Sequence, residues 1–160
     1  LAKVAHLAGF QIWIQDDRPE WANSDRYPQA NQIFREPIAQ IVDRLKSHTH
    51  LYVALVTRGY AFDLEALTVL LKQEVPYCYL GMIGSEKRVR QVIQAITPSG
   101  DCKATAQAGI PLEKLKTLYA PIGLDIGALT PEEIAVSIVA ELIMVRRGGT
   151  GQSMSHRLRS

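Results

Sequence analysis

The sequence predicts an α/β domain built on a parallel β-sheet with helices on both faces. Three observations point there. Two short, nearly continuous apolar runs, Leu51 to Val56 and Tyr77 to Ile83, have the length and composition of strands buried on both faces. Between such runs lie longer stretches whose apolar residues recur at helical spacing. Strands pass into helices through short turns, Gly84-Ser85 being the clearest, and that alternation is the rhythm of a parallel sheet.

In order along the chain, Leu1, Val4, Ala5 and Ala8 share one helical face, and Gly9 supplies a left-handed stop. Phe10 to Ile14 reads as a strand ending at Asp16-Asp17, and the Pro- and Asn-containing stretch Arg18 to Gln29 as loop. Gln32 to Arg35 is a short strand. Pro37 opens a helix with Ile38, Ile41, Val42 and Leu45 on its apolar face. After the strand Leu51 to Val56, Asp63 is placed to cap a helix carrying Leu64, Leu67, Leu70 and Leu71. The strand Tyr77 to Ile83 leads through Gly84-Ser85 into a helix with Val89, Val92, Ile93 and Ile96 on one side. Thr97 to Gly109 is loop-like, Pro111 to Leu118 a short helical segment, and Tyr119 to Leu124 the last strand.

Thr130-Pro131-Glu132-Glu133 is a helix start, with Thr at the N-cap, Pro in the first turn and Glu three residues after the cap. The helix to Arg147 is apolar nearly all round and is expected to be largely buried, with Gly148-Gly149 ending it. Residues 150–160 read as a disordered tail, leaving 1–149 as the domain.

These elements make a Rossmann-like, doubly wound sheet from which the first strand and its Gly-rich turn are missing. In that arrangement an acid ends the second strand about 20 residues after the Gly-rich turn. Counting back from Asp16 or Asp17 puts the turn before Leu1. The absent strand would be central, so its neighbours would present unpaired edges in the middle of the sheet. The expectation is that a strand and loop precede Leu1 in the intact protein, or that another chain supplies the strand.

Composition narrows the function. At 47% hydrophobic and 21% charged residues, the chain has the make-up of an ordinary soluble domain. A net charge of +2, concentrated near Arg157 and Arg159, gives no footprint for nucleic acid. No apolar run is long enough to span a bilayer and no signal peptide is visible, so a cytoplasmic protein with no membrane partner is expected. Of the two cysteines, Cys78 lies in an apolar run and reads as core, and Cys102 sits in a polar loop. His6, His48, His50 and His156 make no metal-ligand spacing with them.

Ligands of such folds bind at the carboxyl ends of the strands. Gly84-Ser85, followed by Lys87 and Arg88, can receive a phosphate at a helix start, or can be a capped helix with a solvated basic face. Asp16 and Asp17 can accept from a ribose or can hold the following loop through Arg18. Thr57-Arg58-Gly59 lies in the same crevice, with Gly59 permitting close approach and Arg58 able to clamp an anion, or is a plain turn. In the loop Ile122 to Ala128, Gly123 and Gly127 bracket Asp125, which can orient a cofactor or hold the turn before the last helix.

Four segments, taken together, resemble the Rossmann domain of the XdhC/CoxI family: Asp16-Asp17-Arg18-Pro19-Glu20, Val56-Thr57-Arg58-Gly59, Gly81-Met82-Ile83-Gly84-Ser85, and Ala120 to Ala128 running on into Thr130 to Ile138. They occur in the family's order over nearly the whole chain. The resemblance implies a maturation factor that binds the molybdenum cofactor, a pterin, and delivers it to a xanthine or carbon monoxide dehydrogenase, a carrier rather than a catalyst. It also implies a sulfur donor as a further partner and a homodimer. The chain departs from the family at Tyr60, where His is common, which removes support for proton-transfer or metal chemistry there. It departs again at Arg88, where Lys is common, and there the positive charge is kept. The competing reading is an NAD(P)-binding oxidoreductase or redox-sensing module, which would need a catalytic acid or base and a substrate domain.

Overall fold

The computed structural model describes residues 1–97 and 110–155. The elements are α1 (Ala2–Leu7), β1 (Trp13–Gln15), β2 (Gln32–Phe34), α2 (Ile38–Lys46), β3 (Tyr52–Leu55), α3 (Tyr60–Lys72), β4 (Tyr79–Met82), α4 (Glu86–Ile96), α5 (Leu112–Leu115), β5 (Leu118–Tyr119) and α6 (Pro131–Arg147). Every strand pair is parallel. The strands form two groups, β1-β2 and β3-β4-β5, that do not pair with each other. In the doubly wound order these are the two flanks of a central strand, so β1 and β3 carry the free inner edges that the sequence leads one to expect. Side chains bridge the divide: the Phe10 ring meets Tyr52 edge-on, centroids 5.4 Å apart, and Arg58 pairs with Asp17.

The alternation along β4 shows how the layers are built. Leu80 and Met82 enter the main core with Leu67, Leu70, Val89, Val92 and Ile96 from α3 and α4. Tyr79 faces the opposite side with Ile122, Ile138 and Leu142, under α6. Because β4 is covered on both faces, all four of its residues are buried. Gly81 is required there, since a Cβ would lie 2.7 Å from both the Tyr79 ring and Ile122 Cδ1.

Four expectations are corrected. The run Leu51 to Val56 is not buried on both faces: only Leu55 is buried, because β3 has a partner on one edge alone. The last strand starts one residue earlier than expected and ends at Tyr119, where Pro121 has no N–H to give a ladder. Helix α6 is not buried all round. It lies on the sheet by one face, so Val136, 50% exposed, and Ile143 point outward. Cys78 is exposed rather than core, because β4 begins only at Tyr79. The expected loop at 98–109, with Cys102, and the last residues of the expected tail, 156–160, lie outside the described residues.

The start of α6 forms as the sequence requires. Thr130 Oγ1 accepts from the Glu133 N–H at 3.2 Å, and the Glu133 carboxylate accepts from the Thr130 N–H at 3.0 Å. Those backbone N–H bonds, from Thr130 and Leu129, hold the Glu133 carboxyl below its ordinary range. Thr130→Ala is expected to cost about 1 kcal/mol, with Thr130→Ser close to wild type in denaturant unfolding. Equal stability of all three proteins would mean that solvent replaces the cap.

Candidate functional site

The carboxyl ends of β1, β3, β4 and β5 bring the expected residues to one edge of the sheet. At its centre is a cluster that local sequence does not reveal. Helix α3 begins at Tyr60 with Gly59 as N-cap, so Asp63 is not the cap but an inward-facing residue of the first turn, 0% exposed. Its Oδ1 accepts from the Thr57 hydroxyl at 2.5 Å and its Oδ2 from Arg88 Nε at 2.6 Å. Arg88 Nη2 also pairs with Asp63 and donates to Thr57 Oγ1 at 2.9 Å. Thr57 follows β3 and Arg88 lies in the first turn of α4, so one buried carboxylate ties together two strand-to-helix junctions.

The second arginine is held differently. Arg58 Nη2 donates to Asp17 Oδ1 at 3.0 Å and the guanidinium lies 4.0 Å over the Phe62 ring. Both partners are open to water, 37% and 54% exposed. An ion pair of that exposure is weak and readily exchanged. The Asp17–Arg58 contact joins the ends of β1 and β3 across the divide between the two strand groups.

Asp16 turns to its own loop. It accepts from Arg18 Nε and Nη2, both at 2.9 Å, and from the Arg18 N–H at 3.0 Å. The Arg18 side chain, chiefly through those bonds, holds the Asp16 carboxyl below its ordinary range. A depressed folded-state value means a stabilisation present above the ordinary carboxylate pKa and lost as pH falls through the depressed one. Asp16→Asn is therefore expected to melt below wild type at neutral pH, the gap closing as pH drops beneath about 4. A gap independent of pH would show that the bonds, not the charge, matter.

The turn Gly84-Ser85 is a capped helix start, with Ser85 Oγ accepting from the Arg88 N–H at 3.3 Å. Lys87 is exposed beside it. At Gly59 nothing lies within 4 Å of the place a Cβ would take, so the backbone there is open to close approach. Gly123 is enclosed instead: φ is +103°, and a Cβ would sit 2.5 Å from Ser137 Oγ. Gly127 is left-handed in open space, and Asp125 is exposed with no hydrogen bond to a described residue. The turn before α6 is held not by Asp125 but by α6 itself. Ser137 Oγ donates to the Leu124 carbonyl at 2.5 Å, and Glu141 accepts from the Gly123 N–H at 2.9 Å and from the Tyr79 hydroxyl.

Asp63, Tyr79, Ser137 and Glu141 carry roles that no motif in the sequence marks. The last two do leave a readable signal, for they stand four apart, on one face of an otherwise apolar helix. Among the described residues no group of three or more His, Cys, Asp or Glu side chains is placed to hold a metal, and no helix is long and apolar enough to cross a membrane.

With this geometry in hand, comparison with known proteins is specific. A family model described as the XdhC Rossmann domain matches residues 1–142. A protein of Bacillus subtilis (strain 168), named as one of the probable subunits of a xanthine dehydrogenase, is 30% identical over 147 residues, 92% of this chain and 39% of that protein. The Escherichia coli (strain K12) protein YqeB, described as uncharacterized, is 30% identical over 155 residues, 96% of this chain and 26% of its own length. A crystal structure of a xanthine dehydrogenase from Bacillus halodurans superposes with a TM-score of 0.69 at 29% identity, covering 98% of this chain and 42% of that one. The chain thus spans less than half the length of each of these relatives.

Proposed function

The chain belongs to the XdhC family, as its Rossmann domain, and from that membership we propose that it is the ligand-holding part of an accessory factor for a xanthine dehydrogenase-type enzyme, binding the molybdenum cofactor and passing it on. The observation that carries the reading is the pair of arginines at the carboxyl edge of the sheet, Arg58 and Arg88, set in a chain that matches this family over nearly its full length.

The donor set suits the cofactor. In it the metal is carried by the pterin's own dithiolene sulfurs, so the protein need supply donors only for a planar ring edge and a phosphate. Arg58, held by an exposed aspartate, can exchange Asp17 for a phosphate oxygen. The Gly84-Ser85 turn, opening the helix that carries Arg88, adds backbone N–H groups. When bound, the cofactor supplies two-electron oxidation chemistry at molybdenum, exercised in the client enzyme. This chain's residues orient and shield it.

The test is a titration of the full-length protein with molybdenum cofactor and, separately, with NAD(H). Saturable cofactor binding is expected, weakened about tenfold or more by Arg58→Ala, with little affinity for NAD(H). Tight NAD(H) binding without cofactor binding would sink the carrier reading and return the hydride-transfer alternative.

A further inference from the structure

We propose that Arg88 is a specificity-determining donor for an uncharged ring oxygen, a cyclic-amide carbonyl, and that Asp63 is the positioning residue that makes it so. This rests on the pterin reading above and deepens it, assigning the two arginines different ends of the ligand.

The argument starts from the donors. Nε of Arg88 is committed to Asp63, and Nη2 to Asp63 and Thr57. Nη1, with two N–H groups, has no partner among the described residues, and it is not among the buried polar atoms left unsatisfied, so it is open to solvent. The side chain cannot swing without breaking bonds to a fully buried carboxylate, so Nη1 is presented in a fixed direction.

Charge decides what that donor suits. Asp63 lies directly against the guanidinium and has no access to water. An anion brought to Nη1 meets a compensated cation, because the attraction of Arg88 is opposed by the repulsion of Asp63 a few ångströms behind it. A carbonyl oxygen needs only an oriented N–H dipole, which the pair supplies without reorganising. Arg58 is the opposite case. Its aspartate is more than half exposed and can return to water, leaving a whole positive charge for a phosphate.

The experiment uses the full-length protein and three probes: 2-amino-4-oxopteridine, 2,4-diaminopteridine, which replaces the carbonyl by an amine, and inorganic phosphate. The pteridines are followed by fluorescence and phosphate by calorimetry. The 4-oxo ring is expected to bind about tenfold or more tighter than the 4-amino ring. Arg88→Lys keeps a cation against Asp63 but loses Nη1. It should erase that preference and leave phosphate affinity unchanged, while Arg58→Gln should weaken phosphate and spare the preference. Asp63→Asn, checked for folding by circular dichroism, should also reduce the preference. Wild-type protein that binds the two rings equally, or binds neither, overturns the proposal whatever the variants do. So does phosphate binding that falls in Arg88→Lys as far as ring binding does. Failure of the wider reading shows separately: a protein that tells the two rings apart yet ignores the complete cofactor keeps this role for Arg88 and loses the carrier.

Discussion

Arg88→Ala is expected to destabilise the domain by about 3–5 kcal/mol, the scale for removing one partner of a buried pair. The reason lies with Asp63. Its carboxylate is entirely shut off from water and has two partners, Thr57 and Arg88. Without the guanidinium, a charge with one hydroxyl for company remains inside the protein, and that is costly. For a chain of this size the loss corresponds to a fall in Tm on the order of 10 °C. Two controls separate the causes. Arg88→Lys should lose much less, since an ammonium can still approach Asp63. The double change Asp63→Leu with Arg88→Met should be far milder than Arg88→Ala, because neither partner is left stranded. Denaturant unfolding by circular dichroism measures all three. An Arg88→Ala protein as stable as wild type would mean that solvent reaches Asp63 and the pair is not a buried one.

The second large effect is expected at Glu141→Ala. Glu141 is buried and accepts from two donors, the hydroxyl of fully buried Tyr79 and the N–H of Gly123. Each donor left unsatisfied costs about 1–3 kcal/mol. Tyr79→Phe removes one donor with its partner still served by Gly123 and should cost less. The pair also has a pH signature. Burial first, and Glu141 second, push the Tyr79 hydroxyl far above its ordinary value of 10.0. A raised folded-state value means a stabilisation complete below pH 10 and lost as pH climbs beyond it, since the unfolded tyrosine then ionises and the folded one does not. Wild type should therefore lose stability above pH 10 more steeply than Tyr79→Phe. Parallel curves for the two proteins would show that Tyr79 is not shielded from hydroxide.

Much of this architecture is legible in the residues. The helical period of Ile38, Ile41, Val42 and Leu45 and the Thr130 capping box mark the starts and faces of α2 and α6, because helix signals are local. The division of the strands into two groups follows from counting back from Asp16 and Asp17. Burial is less legible. Whether Val136 or Val56 is covered depends on which elements come to lie beside it, and apolar side chains in sequence do not say. The site shows the same boundary. Thr57, Arg58, Ser85 and Arg88 stand out by their turn positions, and they gather at one edge. Asp63 reads as a cap because an acid near a helix start suits one. Its actual role depends on Thr57 and Arg88, 6 and 25 residues away, closing over it.

The Asp17–Arg58 contact spans the two strand groups and lies in water. Screening acts within about 8 Å at physiological ionic strength and within about 3 Å at 1 M. A clasp made this way loosens as electrolyte is added, whereas the buried Asp63–Arg88 pair beside it is shielded from the same ions. The spacing between β1 and β3 at their carboxyl ends is thus tuned by the surrounding salt, and the mouth of the crevice yields before its floor does.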